Sequence, residues 1–150
     1  MRAVFLAAVL LFAALPVRAA EWPPAIVAAV KQRESACAKE GGRPIASNRF
    51  LRRVQLDGDG RDDFILDDGK FRCSKGAPGR CGSSGCSKEV YLSSAKDPSK
   101  PVLVELSGSY GVRKSKRGAR ITFQTRSGYV TYRFADGCAI PVSGGGERRC

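Results

Sequence analysis

Six cysteines, Cys37, Cys73, Cys81, Cys86, Cys138 and Cys150, constrain this chain more than any other feature. Their number is even, and in an exported protein such a set forms cross-links that limit which segments can be neighbours. The first twenty residues supply the export reading. Arg2 makes a positive start, Val4 to Leu15 form a short apolar run, and Pro16 breaks it. Val17-Arg18-Ala19 or Arg18-Ala19-Ala20 then offers small residues for cleavage. The run is too short to span about 30 Å of hydrocarbon, and no later segment is apolar enough to do so. No Cys stands at the cleavage position to carry a lipid. We therefore expect 1–20 to be a signal peptide and 21–150 a single small domain, periplasmic or secreted, with no membrane span.

Six cysteines admit fifteen pairings, and the sequence alone does not choose among them. The set favoured here is Cys81–Cys86 as a local clip, Cys37–Cys73 as a tie from helix to sheet, and Cys138–Cys150 as an anchor for the tail. Zinc is disfavoured, because the chain has no histidine and no Cys-x-x-Cys pair.

Periodicity divides the chain. Pro23-Pro24 suits a helix start and Gly41-Gly42 its end. Between them Ile26, Val27, Val30 and Cys37 fall near one helical face, and Lys31, Arg33, Glu34 and Lys39 fall mostly elsewhere. From about Arg49 the period becomes two. Strands are expected around Phe50 to Leu56, Phe64 to Leu66, Val90 to Leu92, Val102 to Leu106, Ile121 to Thr125 and Val130 to Phe134. Ser127-Gly128 suits a tight turn between the last two. The fold class expected is α+β: one N-terminal helix packed on a mostly antiparallel β-sheet, stabilised by disulfides. The glycine-rich tail 144–149 reads as flexible, with Cys150 able to pin it.

The stretch Gln55-Leu56-Asp57-Gly58-Asp59-Gly60-Arg61-Asp62-Asp63 places three acids on one tight turn. Hard cations take several oxygen ligands, and such spacing can supply them. An Asp/Gly turn that satisfies its own backbone is the competing reading. The stretch resembles the calcium loops of FG-GAP and VCBS-type repeats, with the pattern D-x-[DN]-x-[DN]-G-x-x-D before an apolar strand. That resemblance implies Ca²⁺ held by the side chains of Asp57, Asp59 and Asp63 and the carbonyl of Arg61. Gln55 stands where the pattern has an acid, which weakens the site. Leu66 at the twelfth position excludes a full EF-hand loop. More broadly, the Ala-Cys-Ala-x-x-Gly-Gly helix end, the LDGDGRDDFILDDG segment, Phe71-Arg72-Cys73 and Cys81-Gly82-Ser83-Ser84-Gly85-Cys86 resemble small exported cysteine-rich proteins of alphaproteobacterial type. That likeness implies the compartment and the disulfides, and it supplies no catalytic residues.

Charge points to the partner class. The chain carries 26 basic residues against 14 acids; without Arg2 and Arg18 its net charge is +10. Such an excess favours anionic surfaces and repels basic ones. The segment from Arg113 to Arg120 concentrates it, with Arg113, Lys114, Lys116, Arg117 and Arg120 in a loop flanked by tyrosines. It is either an anion-binding site or a solvated loop. Without histidine, Ser-His-Asp and Cys-His mechanisms are closed to this chain. Ser84 with Lys88, or Glu89 with Glu105, would be the remaining catalytic pairs, and no spacing supports either. The expected function is a non-enzymatic binding module contacting an anionic envelope polymer or lipid head groups. The alternative is an inhibitor or accessory protein docking on another exported protein. Nucleic acid is disfavoured by the compartment.

Overall fold

The computed structural model describes residues 22–45, 47, 49–76, 80–116 and 118–150. The signal-peptide expectation for 1–20 lies outside the described residues, as does Arg117 of the basic segment. The first element is the helix α1 (Pro24–Lys39), with proline in its first turn, where the missing N–H costs nothing. Eleven strands in eight antiparallel pairings follow among the described residues, arranged as three sheets rather than the single one expected.

β1 (Pro44–Ile45) pairs with β4 (Arg72–Cys73) in a two-stranded ribbon. The second sheet contains β2 (Leu51–Val54), β3 (Asp63–Asp67), β5 (Cys81–Gly82), β6 (Gly85–Tyr91) and β7 (Leu103–Ser107). Its order runs β2-β3-β6-β5, and β7 pairs with the other side of β6. The third sheet is a meander of β8 (Ser109–Ser115), β9 (Gly118–Thr125), β10 (Gly128–Ala135) and β11 (Cys138–Ser143). The chain changes sheet at Gly108, whose N–H bonds to the Gln124 carbonyl instead of continuing β7. A change of sheet of this kind leaves no mark on hydrophobic periodicity, so one sheet was expected where two face each other.

These elements form three layers. Val54, Ile65, Val90 and Leu103 meet Ala119, Ile121, Phe123, Tyr132 and Phe134 across the space between the two large sheets. On the far side of the middle sheet, Phe50, Phe64, Leu66, Phe71 and Tyr91 pack against Ile26, Ala29 and Cys37 of α1. β3 is thus covered on both faces, which is why it reads as a continuous apolar run. β9 and β10 have one solvated face and keep the expected alternation, Val130, Tyr132 and Phe134 inward and Arg133 outward.

The helix differs from expectation at Arg33. Its buried stripe is Ile26, Ala29, Arg33 and Cys37, while Val27 is exposed. Arg33 is only 3% accessible. Its guanidinium meets Asp68 at 2.9 Å and Glu89 at 2.7 Å, and it donates to the Ala29 carbonyl. Arg80 approaches Glu89 at 2.7 Å from the rim, and the Tyr91 hydroxyl donates to the other Glu89 oxygen at 2.9 Å. Burial tends to raise the Glu89 pKa, but the Arg33 bond and charge outweigh it and hold the carboxyl below its ordinary range.

All six cysteines pair: Cys37–Cys73, Cys81–Cys86 and Cys138–Cys150. The first joins α1 to β4, the second closes the β5–β6 hairpin and the third fastens the tail. The tail is laid down rather than free: Arg149 exchanges two backbone hydrogen bonds with Ala139. Among the described residues no helix is long and apolar enough to cross a membrane.

Candidate functional site

The acidic turn links β2 to β3, and its carboxylates are engaged with donors of the chain. Asp63 is fully buried. One of its oxygens accepts from the Leu56 N–H at 2.8 Å, the other from the Ser93 N–H at 3.0 Å and the Ser93 hydroxyl at 3.3 Å. Asp57 accepts from the Asp59 N–H and from the Ser94 hydroxyl. Asp59 accepts from the Arg61 N–H at 2.8 Å and the Arg61 Nε at 2.7 Å, with the Ser93 hydroxyl at 3.4 Å. The turn is therefore a clasp. It ties the β2–β3 connection to Ser93-Ser94 after β6, and a side-chain cation already sits on Asp59. Among the described residues, no group of three or more Cys, Asp or Glu side chains is arranged to hold a metal ion. A calcium ion here has to displace Arg61 and the serine hydroxyls. Burial pushes the Asp63 carboxyl up, against the pull of the Ser93 and Leu56 amides, and the Asp57 and Asp59 charges push it further. The Arg61 amide leads the groups that hold Asp59 low.

Gln55, the first residue of the acidic stretch, stands at the edge of the turn. It is exposed and lines a depression of about 400 Å³ together with Gly58, Asp62, Lys114 and Lys116. The acidic turn and the basic hairpin are thus neighbours, a proximity that neither stretch reveals alone. Gly118 makes the approach feasible. It has φ 110°, and a Cβ there would stand 2.4 Å from the Leu56 carbonyl oxygen, so only glycine fits. The adjacent Ala119 N–H donates to that carbonyl.

The basic segment is not a loop, as its composition suggested. Arg113 and Lys114 lie in β8, Arg120 lies in β9, and only Lys116 lies in the described part of the turn. Strand alternation separates them. Lys114 pairs with buried Ala119 and so stands on the acidic-turn side, whereas Arg113 stands opposite Arg120 on the outer face. Arg120 in turn stands opposite Arg133 of β10. The three arginines form one rung across three strands about 4.8 Å apart. All three are exposed, and among the described residues none has a carboxylate at ion-pair distance. The next rung carries Thr122 and Thr131, whose hydroxyls are 2.9 Å apart. The one beyond carries Gln124 and Tyr129, the latter 66% exposed.

Sequence reading missed Arg133. The signal lay in the turn: the β9–β10 turn residues are Arg126-Ser127, and Gly128 opens β10 opposite Thr125. A turn centred on Ser127-Gly128 would instead set Arg120 opposite Ala135. The catalytic pairs considered above are also placed. Lys88 is buried on Asp67 at 2.8 Å and on the Ser107 carbonyl, away from any nucleophilic role with Ser84. Glu89 belongs to the Arg33 cluster, and Glu105 accepts from the Tyr132 hydroxyl at 3.2 Å.

Compared with family models, curated proteins and solved structures, the chain matches none.

Proposed function

We propose that the chain is an exported, non-enzymatic binding module whose four-stranded sheet presents its outer face to an anionic polymer of the cell envelope. The observation that carries this reading is the rung of Arg113, Arg120 and Arg133. Like charges directly opposite one another weaken a sheet. A linear anion lying across the strands relieves that repulsion, and the flat hydroxyl-bearing rungs beside it accommodate an extended ligand. Net positive charge steers such ligands toward the face at a distance. Export rests on the N-terminal pattern, and the disulfides are consistent with it. The absence of histidine and the engagement of Asp63, Asp68 and Glu89 with structural partners support a non-enzymatic role. Calcium enters this reading only as a competitor for the acidic clasp.

The test is a salt gradient on a polyanion column, with the mature, oxidised protein. Arg113→Gln/Arg120→Gln/Arg133→Gln should elute well before Lys31→Gln/Lys39→Gln/Lys75→Gln, although both lose three charges. Equal shifts would reduce retention to net charge and sink the reading. The alternative, docking on another exported protein, draws on one observation. Among the described residues β7 has a neighbouring strand on one side only, and it displays Val104 and Leu106, 44% and 52% exposed. Such an edge can receive an extended strand. Arg149 covers one of its carbonyls, that of Val104, at 3.2 Å. A partner recovered from envelope extract and retained at high salt would favour that alternative.

A further inference from the structure

We propose a second anion site, independent of the sheet face: the cleft between the edges of the two large sheets binds a phosphate monoester group. β2 is the outermost strand of one sheet and β8 of the other. Where they approach, a cleft of about 610 Å³ opens, within the size range of small-molecule sites. Arg49, Arg52 and Lys70 line it from one side; Gly108, Ser109 and Tyr110 line it from the other.

The lining of this cleft is positive in excess, with Arg49, Arg52, Arg53 and Lys70 against the single carboxylate of Asp67. Arg52 lies opposite Ile65, so it stands on the face of β2 that looks toward the other sheet, and it interacts with the Tyr110 phenol. Asp67 also lines the cleft, but it is neutralised by Lys88 at 2.8 Å and accepts the Gly69 N–H at 2.9 Å. Arg53 at the margin is paired with Asp62 at 3.3 Å. Among the described residues, Arg49, Arg52 and Lys70 have no carboxylate at ion-pair distance. Three cations, two from the β2 stretch and one from the turn after β3, therefore converge on one concavity, where a single sign of charge raises the local potential.

The chemistry of the lining selects the ligand. Two guanidinium forks bind pairs of oxygens, and an ammonium serves as a point charge. A monocarboxylate offers one charge and two oxygens. A phosphate monoester offers a charge of about −1.5 to −2 at neutral pH and three acceptor oxygens, matching three cations. The volume also leaves room for the body that carries the phosphate. That body is either a soluble phosphorylated sugar or the head group of a lipid such as phosphatidic acid, and both present the same group.

The experiment uses the mature, oxidised protein with two probes. Glucose 6-phosphate is titrated by calorimetry, and vesicles of phosphatidylcholine with and without phosphatidic acid are used for co-sedimentation. Binding of the sugar phosphate identifies a soluble source; binding confined to phosphatidic acid vesicles identifies a lipid source. For whichever probe binds, Arg49→Gln/Arg52→Gln should weaken affinity at least tenfold, and Arg113→Gln/Arg120→Gln should change it less than twofold. Affinity should fall between pH 7.5 and pH 5.5 as the second phosphate ionisation, near pH 6, is lost. Lys70→Gln serves as the second cleft variant should the double arginine variant melt early. No binding of either probe, or equal loss in the cleft and face variants, overturns the proposal.

Discussion

Replacing Asp63 by Asn removes one acceptor from a carboxylate that receives the buried Leu56 amide on one oxygen and the half-buried Ser93 amide on the other. The side chain keeps its size, so no cavity complicates the result. Asn has a single carbonyl oxygen, which can serve either the Leu56 or the Ser93 amide. The other amide then faces an NH₂ group and is left without an acceptor. An unsatisfied buried donor costs about 1–3 kcal/mol, and exchanging a charged acceptor for a neutral one costs about 1 kcal/mol more. Against this, Asn no longer buries a charge, a cost visible in the raised Asp63 pKa. We expect a net loss of about 2–3 kcal/mol for Asp63→Asn. The assay is urea unfolding of the oxidised protein, comparing midpoints at unchanged slope, once in EDTA and once in millimolar Ca²⁺. A clasp made of hydrogen bonds loses the same stability in both. A metal site loses it in Ca²⁺ alone, and parent and variant converge in EDTA. A loss below about 0.5 kcal/mol in EDTA would refute the clasp, since that is the range of an ordinary surface change.

Two further predictions concern the opposite side of the middle sheet. Arg33→Met leaves the Asp68 and Glu89 carboxylates buried with their main partner gone, and should cost about 3–5 kcal/mol by denaturant unfolding. Glu89 has a folded pKa below its unfolded one, so its contribution is complete above the ordinary carboxylate range and is lost as the pH falls through the folded value. Parent and Glu89→Gln should therefore converge in stability on acidification, and a constant difference down to pH 2 would contradict the assignment. Among the disulfides, Cys37→Ser/Cys73→Ser opens a 36-residue separation and Cys81→Ser/Cys86→Ser one of 5. Chain entropy predicts losses of about 4 and about 2 kcal/mol respectively, measurable as separate shifts of the unfolding midpoint.

Local patterns carried much of this architecture. The helix between Pro23-Pro24 and Gly41-Gly42 and the alternation of β9 and β10 were readable, because burial repeats at the period of each element. The favoured cysteine pairs form, two of them close in sequence, where few other contacts compete. The three acids of the turn do gather, yet on Ser93 and Ser94, 30 to 37 residues away, which no motif names. The candidate basic segment was legible as charge but not as a surface. Its alternation sends Lys114 to one side and Arg113 and Arg120 to the other.

The sequence by itself determined the kinds of element, their apolar faces and the positive excess, since propensity, periodicity and charge act over a few residues. Only the tertiary structure decided which residues share a rung, a layer or a cleft. Displacing the β9–β10 turn by one residue moves the cross-strand partner of Arg120 by two. Arg33 is buried because Asp68 and Glu89, remote in sequence, arrive beside it with charges that offset desolvation. The cleft of Arg49, Arg52 and Lys70 exists because two sheet edges meet, and the chain enters the four-stranded sheet only at Gly108. Such placements depend on free energies of pairing between distant segments, and short-range patterns do not contain them.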